Sequence, residues 1–371
     1  MGNDRRSACP PSPYDLAPSV ETIADDEAET LASLKDSFRE ILETTSQDYA
    51  HAVRAVHAKA HGIARGTLTI ADGLPETLAQ GIFAQPGRHE AVLRISTNAG
   101  DILDDSVSLP RGVALKILDV QGDRLPGSEG ETTQDFIMVN APVFAAPDPK
   151  AFSKNLKLLA KTTDRFDGVK KAMSATFRVV ESALEAVGAE SATLKTLGGA
   201  KPVHPLGETY FSQTPLRYGN YIAKVALFPV SPELTRLTGD TVDITARPDA
   251  LREVVREELI EHGGVWELRV QLNTDLDAMP IEDATVEWDQ QASPFVTVAT
   301  LELAPQISWE HGVTDHTDDA LSYSVWHGVV DHQPLGGVNR VRKETYELSA
   351  GFRGTFNGCP MHQPKTLAEL A

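Results

Sequence analysis

Arg54-Ala55-Val56-His57-Ala58-Lys59-Ala60-His61-Gly62, followed at once by Ile63-Ala64-Arg65-Gly66-Thr67-Leu68-Thr69-Ile70, is where the chain changes character. Upstream, Leu31, Leu34, Phe38, Ile41 and Leu42 recur every three or four residues, which predicts an amphipathic helix over Asp25–Asp48 with acidic residues in its first turn. Downstream the period drops to two, and Gly66–Ile70 reads as a strand. His57 and His61 stand four apart, a spacing that puts both rings on one face of a helix, as in a zinc pair. A strand shares a face at the same spacing, and the helix has ended by Gly62. No HExxH or CxxC supplies a third ligand, so His61 reads as a core or surface histidine.

Working outward, Ala91–Thr97, Gly112–Leu118 and Asp135–Val139 continue the series of β-branched runs between Gly, Pro and Asp turns. The middle is helical. Asp148-Pro149 is an N-cap and first-position pair ahead of Phe152, Leu156 and Leu159, and Met173, Phe177, Val180 and Leu184 mark another helix. Strands return at Tyr221–Phe228, Val265–Leu272 and Phe295–Leu303, with an amphipathic helix at Pro248–His262 between the first two. Helical spacing resumes from Asp318 onward. This order, with neighbouring strands antiparallel, predicts an α+β domain organised as a closed barrel with helical excursions.

Composition narrows the function. The 371 residues carry a formal charge of −19, which disfavours nucleic acid and anionic lipid because either needs positive charge to displace its counterions. Two cysteines make no disulfide framework and point to a reducing compartment. The proline-rich start lacks the apolar stretch of a signal peptide, and no apolar run reaches membrane-spanning length. The expectation is a cytoplasmic protein with no membrane insertion.

Arg54-x-x-His57-Ala58-Lys59 resembles the distal-histidine signature of haem catalases. Val92-Leu93-Arg94-Ile95-Ser96-Thr97 resembles that family's Arg-Phe-Ser-Thr segment, and Pro110-Arg111-Gly112-Val113-Ala114-Leu115-Lys116 its Pro-Arg-Gly strand. Asp135 to Phe144 resembles the stretch holding the distal asparagine, and Val286-Glu287-Trp288 through Val298 the strand pair before the proximal helix. These matches keep their order over residues 50–305, which is more specific than any one of them. The resemblance implies an α+β fold with a catalase-like antiparallel eight-stranded β-barrel, helical insertions and flanking helices. After a proline-rich lead over 1–22, one domain covers 23–371, with C-terminal helices at 318–353. It also implies bound haem b, a peroxide as small-molecule substrate, and a homo-oligomer.

On the same resemblance His57 is the acid–base group, Ser96 fixes its tautomer and Asn140 orients the peroxide. Arg54 and Arg94 pair haem propionates, and Val56 and Phe144 touch the macrocycle. Catalases hold the iron by a tyrosinate on a helix, four residues after an arginine that keeps the phenolate ionised. Aligning Leu335-Gly336 with the family's Leu-Gly pair puts His327 at the tyrosine position and Tyr323 at the arginine position. Sliding the helix by one turn makes Tyr323 the ligand, with Asp319 in place of the arginine. The expected iron ligand is therefore Tyr323, with His327 as the alternative. Pro334 through Tyr346 looks like the short catalase-like proteins, some of which isomerise fatty-acid hydroperoxides. The functional expectation is a haem peroxidase or catalase-like enzyme acting on hydrogen peroxide or organic hydroperoxides. The alternative is a catalase-fold protein that binds haem or an apolar ligand without turnover.

Overall fold

A computed structural model describes residues 20–163 and 200–370. The helix expected around Met173–Leu184 lies outside them. The first element is helix α1 (Glu27–Tyr49), whose buried Leu34, Phe38, Ile41 and Leu42 form one face. It ends where Ala50 turns left-handed at φ 50°.

Nine strands follow. They are β1 (Ala60–Ile70), β2 (Gly87–Thr97), β3 (Arg111–Ile117), β4 (Gln134–Val139), β5 (Tyr210–Phe211), β6 (Leu216–Tyr218), β7 (Tyr221–Pro229), β8 (Gly264–Leu272) and β9 (Val296–Leu303). All pairings are antiparallel. β1 to β5 run in sequence, β5 pairs with β7 at Tyr210–Leu227 and Phe211–Ala226, and β7, β8 and β9 continue round. β9 returns to β1 from Thr67–Glu302 to Ile70–Ala299, so eight strands close on themselves and leave no free edge. β6 is a short addition against β7. The α+β class and the eight-stranded antiparallel barrel expected from the sequence are both present.

Alternation along each strand sends one set of side chains inward. Leu93 and Ile95 of β2, Leu115 and Ile117 of β3, and Phe136 and Met138 of β4 join Trp266, Leu268 and Leu301 in the buried barrel core. The other set of β2 to β4 faces outward. There Ser96 lies opposite Gly112, Arg94 opposite Ala114, and Ala114 opposite Ile137.

Helices cover the outside. α2 (Pro149–Thr163), a single turn α3 (Pro232–Thr235), α4 (Ala250–Glu261), α5 (Thr314–Ala320) and α6 (Gly337–Phe356) complete the described chain. α1 and α6 share a cluster in which Phe38 and Ile41 meet Leu156 and Val341. In the C-terminal region, where helices are expected over 318–353, the helical residues are Thr314–Ala320 and Gly337–Phe356. Between α5 and α6, residues 321–336 run as turns and extended chain with one 3₁₀ turn at Val330–His332. Pro334 cannot supply a helical N–H, and Gly336, at φ 87°, turns the chain into α6. Among the described residues no helix is long and apolar enough to cross a membrane.

Candidate functional site

Between the outer face of β2, β3 and β4 and the inner face of α6 lies a cavity of about 70 Å³. Arg94, Ser96, Gly112, Ala114 and Ile137 line it from the barrel, Phe38 from α1, and Tyr346, Ser349 and Arg353 from α6. Arg54, Val56 and His57 enter from the segment joining α1 to β1, and Ser322 and Tyr323 from the segment after α5.

His57 has the left-handed backbone at φ 55°, a conformation that costs a non-glycine residue energy and persists only where its surroundings impose it. Its N–H and that of Ala58 donate to the carbonyls of Asn98 and Ala99 just past β2. The ring lies against Gly112, where a β-carbon would stand 2.4 Å from His57 Cε1 and 2.8 Å from Nδ1. Only glycine leaves room for the imidazole. His57 Nδ1 is 3.0 Å from Ser96 Oγ, and that hydroxyl donates to the Gly112 carbonyl at 3.3 Å. With its one hydrogen so engaged, Ser96 must accept from Nδ1–H, which leaves the lone pair on Nε2. Burial, reinforced by the charges of Arg94, Arg342 and Arg54, pulls the His57 pKa down to about 3. The ring is a neutral base of one tautomer.

Arg54 and Arg94, expected to pair haem propionates, both meet a carboxylate of the chain. Asp318 Oδ1 lies 2.8 Å from Arg54 Nη1 and accepts from Arg94 Nε at 2.6 Å, and Oδ2 accepts from Arg94 Nη2 at 3.1 Å. Burial alone would raise the Asp318 carboxyl. The two guanidiniums outweigh it and hold the group well below the usual carboxylate range. Arg94 also donates to the carbonyl of His57 at 3.0 Å, tying the arginine end to the histidine end. Arg353, 2% exposed, lines the same end of the cavity.

Arg342 and Tyr346 stand four apart on α6, one turn on the same face. Arg342 Nη2 donates to the Tyr346 hydroxyl at 3.3 Å, and Tyr346 faces the cavity. This is the arginine–tyrosine spacing sought in the preceding segment. The signal was there, as Arg342-x-x-x-Tyr346 in a region of helical period. The segment that Leu335-Gly336 brings into alignment, 321–328, is not helical.

The remaining candidates divide. Val56 lines the cavity; Phe144 does not, and packs on Phe152 with ring centroids 5.1 Å apart. Asn140 is absent from the lining, its amide donating to Glu208 at 2.7 Å while its carbonyl accepts the Arg111 N–H at 2.8 Å. Tyr323 lines the cavity from a non-helical segment, with its ring below Lys116 Nζ at 5.1 Å. His327 lies outside the lining, with Nδ1 3.1 Å from Asp135 Oδ2, itself in a buried pair with Lys116 at 2.7 Å. His61 is a buried core histidine, Nε2 being 2.7 Å from Thr97 Oγ1. Among the described residues no three His, Cys, Asp or Glu side chains cluster as a metal site.

A closed antiparallel barrel flanked by helices is also the fold of solved catalases. Solved structures match it over most of the chain. Catalase A from Saccharomyces cerevisiae aligns with a TM-score of 0.56 and 17% identity over 86% of this chain. A fungal catalase gives 0.55 and 19% over 86%, and a bacterial catalase 0.54 and 17% over 88%. The chain has a catalase-like fold, and it spans 64% of the length of each of these three. No protein-family model matches it, and no curated protein matches it in sequence.

Proposed function

We propose that this cavity holds haem b and that the protein cleaves hydrogen peroxide or an organic hydroperoxide. The observation that carries the reading is His57, a neutral base held in a costly backbone conformation with one tautomer set by Ser96 and Gly112, over a cavity whose helix side presents a phenol paired with an arginine. The residues suit the group. The walls Val56, Val113, Ala114, Ile137 and Ala350 are apolar, and the far end carries Arg54, Arg94 and Arg353 against Asp318, with Asp319 nearby. That end retains positive charge for the carboxylates of a porphyrin edge. Tyr346 is the side chain suited to the iron, with Arg342 donating to its hydroxyl. This replaces Tyr323 and His327 in that role, the one being off the helix and the other committed to Asp135.

Bound haem would supply the redox chemistry for O–O cleavage. The chain supplies the proton traffic. His57 Nε2 accepts a proton from one peroxide oxygen and returns it to the departing one, a task that needs a base free at neutral pH. Ser96 keeps the ring from turning, and the apolar walls exclude water. Asn140 does not line the cavity, so the distal chemistry rests on His57 and Ser96.

A second reading, a binder without turnover, is favoured by the engaged Asn140 and by Asp318 already neutralising part of the arginine cluster. The two are separated by reconstituting the purified protein with haem, recording its absorbance and adding peroxide. A Soret band with peroxide consumption supports the enzyme, a band without consumption supports the binder, and no band refutes both haem readings.

A further inference from the structure

Asn339 stands in the first turn of α6, just past Gly336, where asparagine is a weak helix former because its amide competes with the backbone. It is nonetheless buried, at 3% exposure, and all four hydrogen-bonding positions of its amide are filled. Nδ2 donates to the Pro215 carbonyl at 2.9 Å and to the Leu335 carbonyl at 3.0 Å. Oδ1 lies 3.0 Å from the Thr214 hydroxyl and accepts from Arg342 Nη1 at 3.2 Å. Two carbonyls on one side and a guanidinium on the other decide which end is oxygen, so the amide has one orientation. The Asn339 carbonyl in turn accepts Trp326 Nε1–H at 2.8 Å. These bonds tie the residue to the chain just before β6 and to the segment ahead of α6.

The guanidinium that Asn339 holds reaches Tyr346 with its other arm. Arg342 Nη1 goes to Asn339 and Nη2 to the Tyr346 hydroxyl at 3.3 Å, with the guanidinium 5.6 Å from the centroid of the phenol ring. Arginine is long and rich in rotamers, and a single bond to a phenol does not keep it in one pose. A second bond, from a buried amide that cannot turn, does. We propose that Asn339 is a positioning residue: it fixes Arg342 against Tyr346, and through Arg342 it sets where the phenol lies in the cavity. The proposal rests on the haem reading above only for what Tyr346 then does.

Heteronuclear NMR of the arginine nitrogens in the full chain without haem reads the clamp directly, the Arg342 signals being those lost in Arg342→Lys. In the wild type the two Nη atoms should give separate resonances, because the rotation about Nε–Cζ that exchanges them must break both bonds. Asn339→Ala should speed that rotation about tenfold, the scale of one hydrogen bond. Asn339→Asp keeps the acceptor for Arg342 and loses both Nδ2 donors, so it should retain slow rotation although its melting temperature falls. A role confined to anchoring the helix predicts instead that Asp fails as Ala does. With haem loaded, the resonance Raman signature of iron coordination should follow the same order, unchanged in Asn339→Asp and altered in Asn339→Ala. Free rotation of Arg342 in the wild type overturns the proposal whether or not any variant folds, and so does an Asp variant that behaves as Ala. An unaltered iron signature in Asn339→Ala overturns it too, when Tyr346→Phe does alter that signature. If Tyr346→Phe does not, or if no haem binds, the haem reading has failed, and the rotation of Arg342 decides the clamp by itself.

Discussion

Gly112→Ala asks a single methyl group to occupy the space of the His57 ring. Its β-carbon would stand 2.4 Å from Cε1 and 2.8 Å from Nδ1, far inside contact distance, and the next neighbour is the Met138 carbonyl at 3.2 Å. The ring cannot swing aside cheaply, because the His57 backbone is fixed at φ 55° by bonds to Asn98 and by Arg94 on its carbonyl. Either the imidazole leaves Ser96, or β3 shifts. Overpacking of this kind costs about 1–3 kcal/mol, read as a lower denaturation midpoint of the protein without haem. Peroxide cleavage by the haem-loaded protein should fall by about two orders of magnitude, the scale for losing positioned acid–base help. The cycle with His57→Ala sharpens the argument. Once the imidazole is gone, the methyl meets only the Met138 carbonyl, so Gly112→Ala should cost much less stability and no further activity in that background. Undiminished turnover in Gly112→Ala, or strictly additive stability losses in the double variant, would show that the contact between Gly112 and His57 does not position the base.

Replacing His57 with Ala should retain haem but slow peroxide cleavage about a hundredfold or more, while His61→Ala leaves specific activity nearly unchanged. Ser96→Ala should cost about five- to tenfold in rate, the scale of one hydrogen bond, with haem content intact. Of Tyr346→Phe, Tyr323→Phe and His327→Ala, only the first should alter the resonance Raman and electron paramagnetic signature of iron coordination; a change with either of the others instead moves the ligand off α6. Stability should fall on acidification. His57 and His332, lowered to about 3, and His204, lowered to about 4, take up protons only when unfolded as pH drops below about 6.5. Asp318, held low by its arginines, loses its contribution further into the acid range as it protonates. Urea midpoints at pH 7, 5 and 4 should decline in that order, and a flat profile contradicts the buried neutral histidines.

The barrel was legible because strands with β-branched residues and period two announce themselves locally. The His57 side was legible because Arg54, His57, Arg94, Ser96 and Gly112 sit in short segments whose order survives. Two features were not. Residues 321–336 share helical spacing with their neighbours, and only Pro334 and Gly336 hint that the chain does not coil until Gly337. The capture of Asn140 by Glu208 joins residues 68 apart, and that of Arg94 by Asp318 residues 224 apart, so no local pattern reports either. In so acidic a chain there are too many carboxylates for charge alone to choose the partner.

The cavity lies on the outer face of the barrel, and that has a consequence for how such a protein can change. Arg94, Ser96 and Ala114 alternate with Leu93, Ile95 and Leu115, so each of these three cavity residues is a neighbour in sequence, but not in space, of one that holds the barrel closed. Substitution on the outer set leaves the inner packing untouched and opens no void in it. Ligand preference can therefore drift by single steps while the scaffold keeps its stability. A barrel with its chemistry inside would have to trade one for the other at every change.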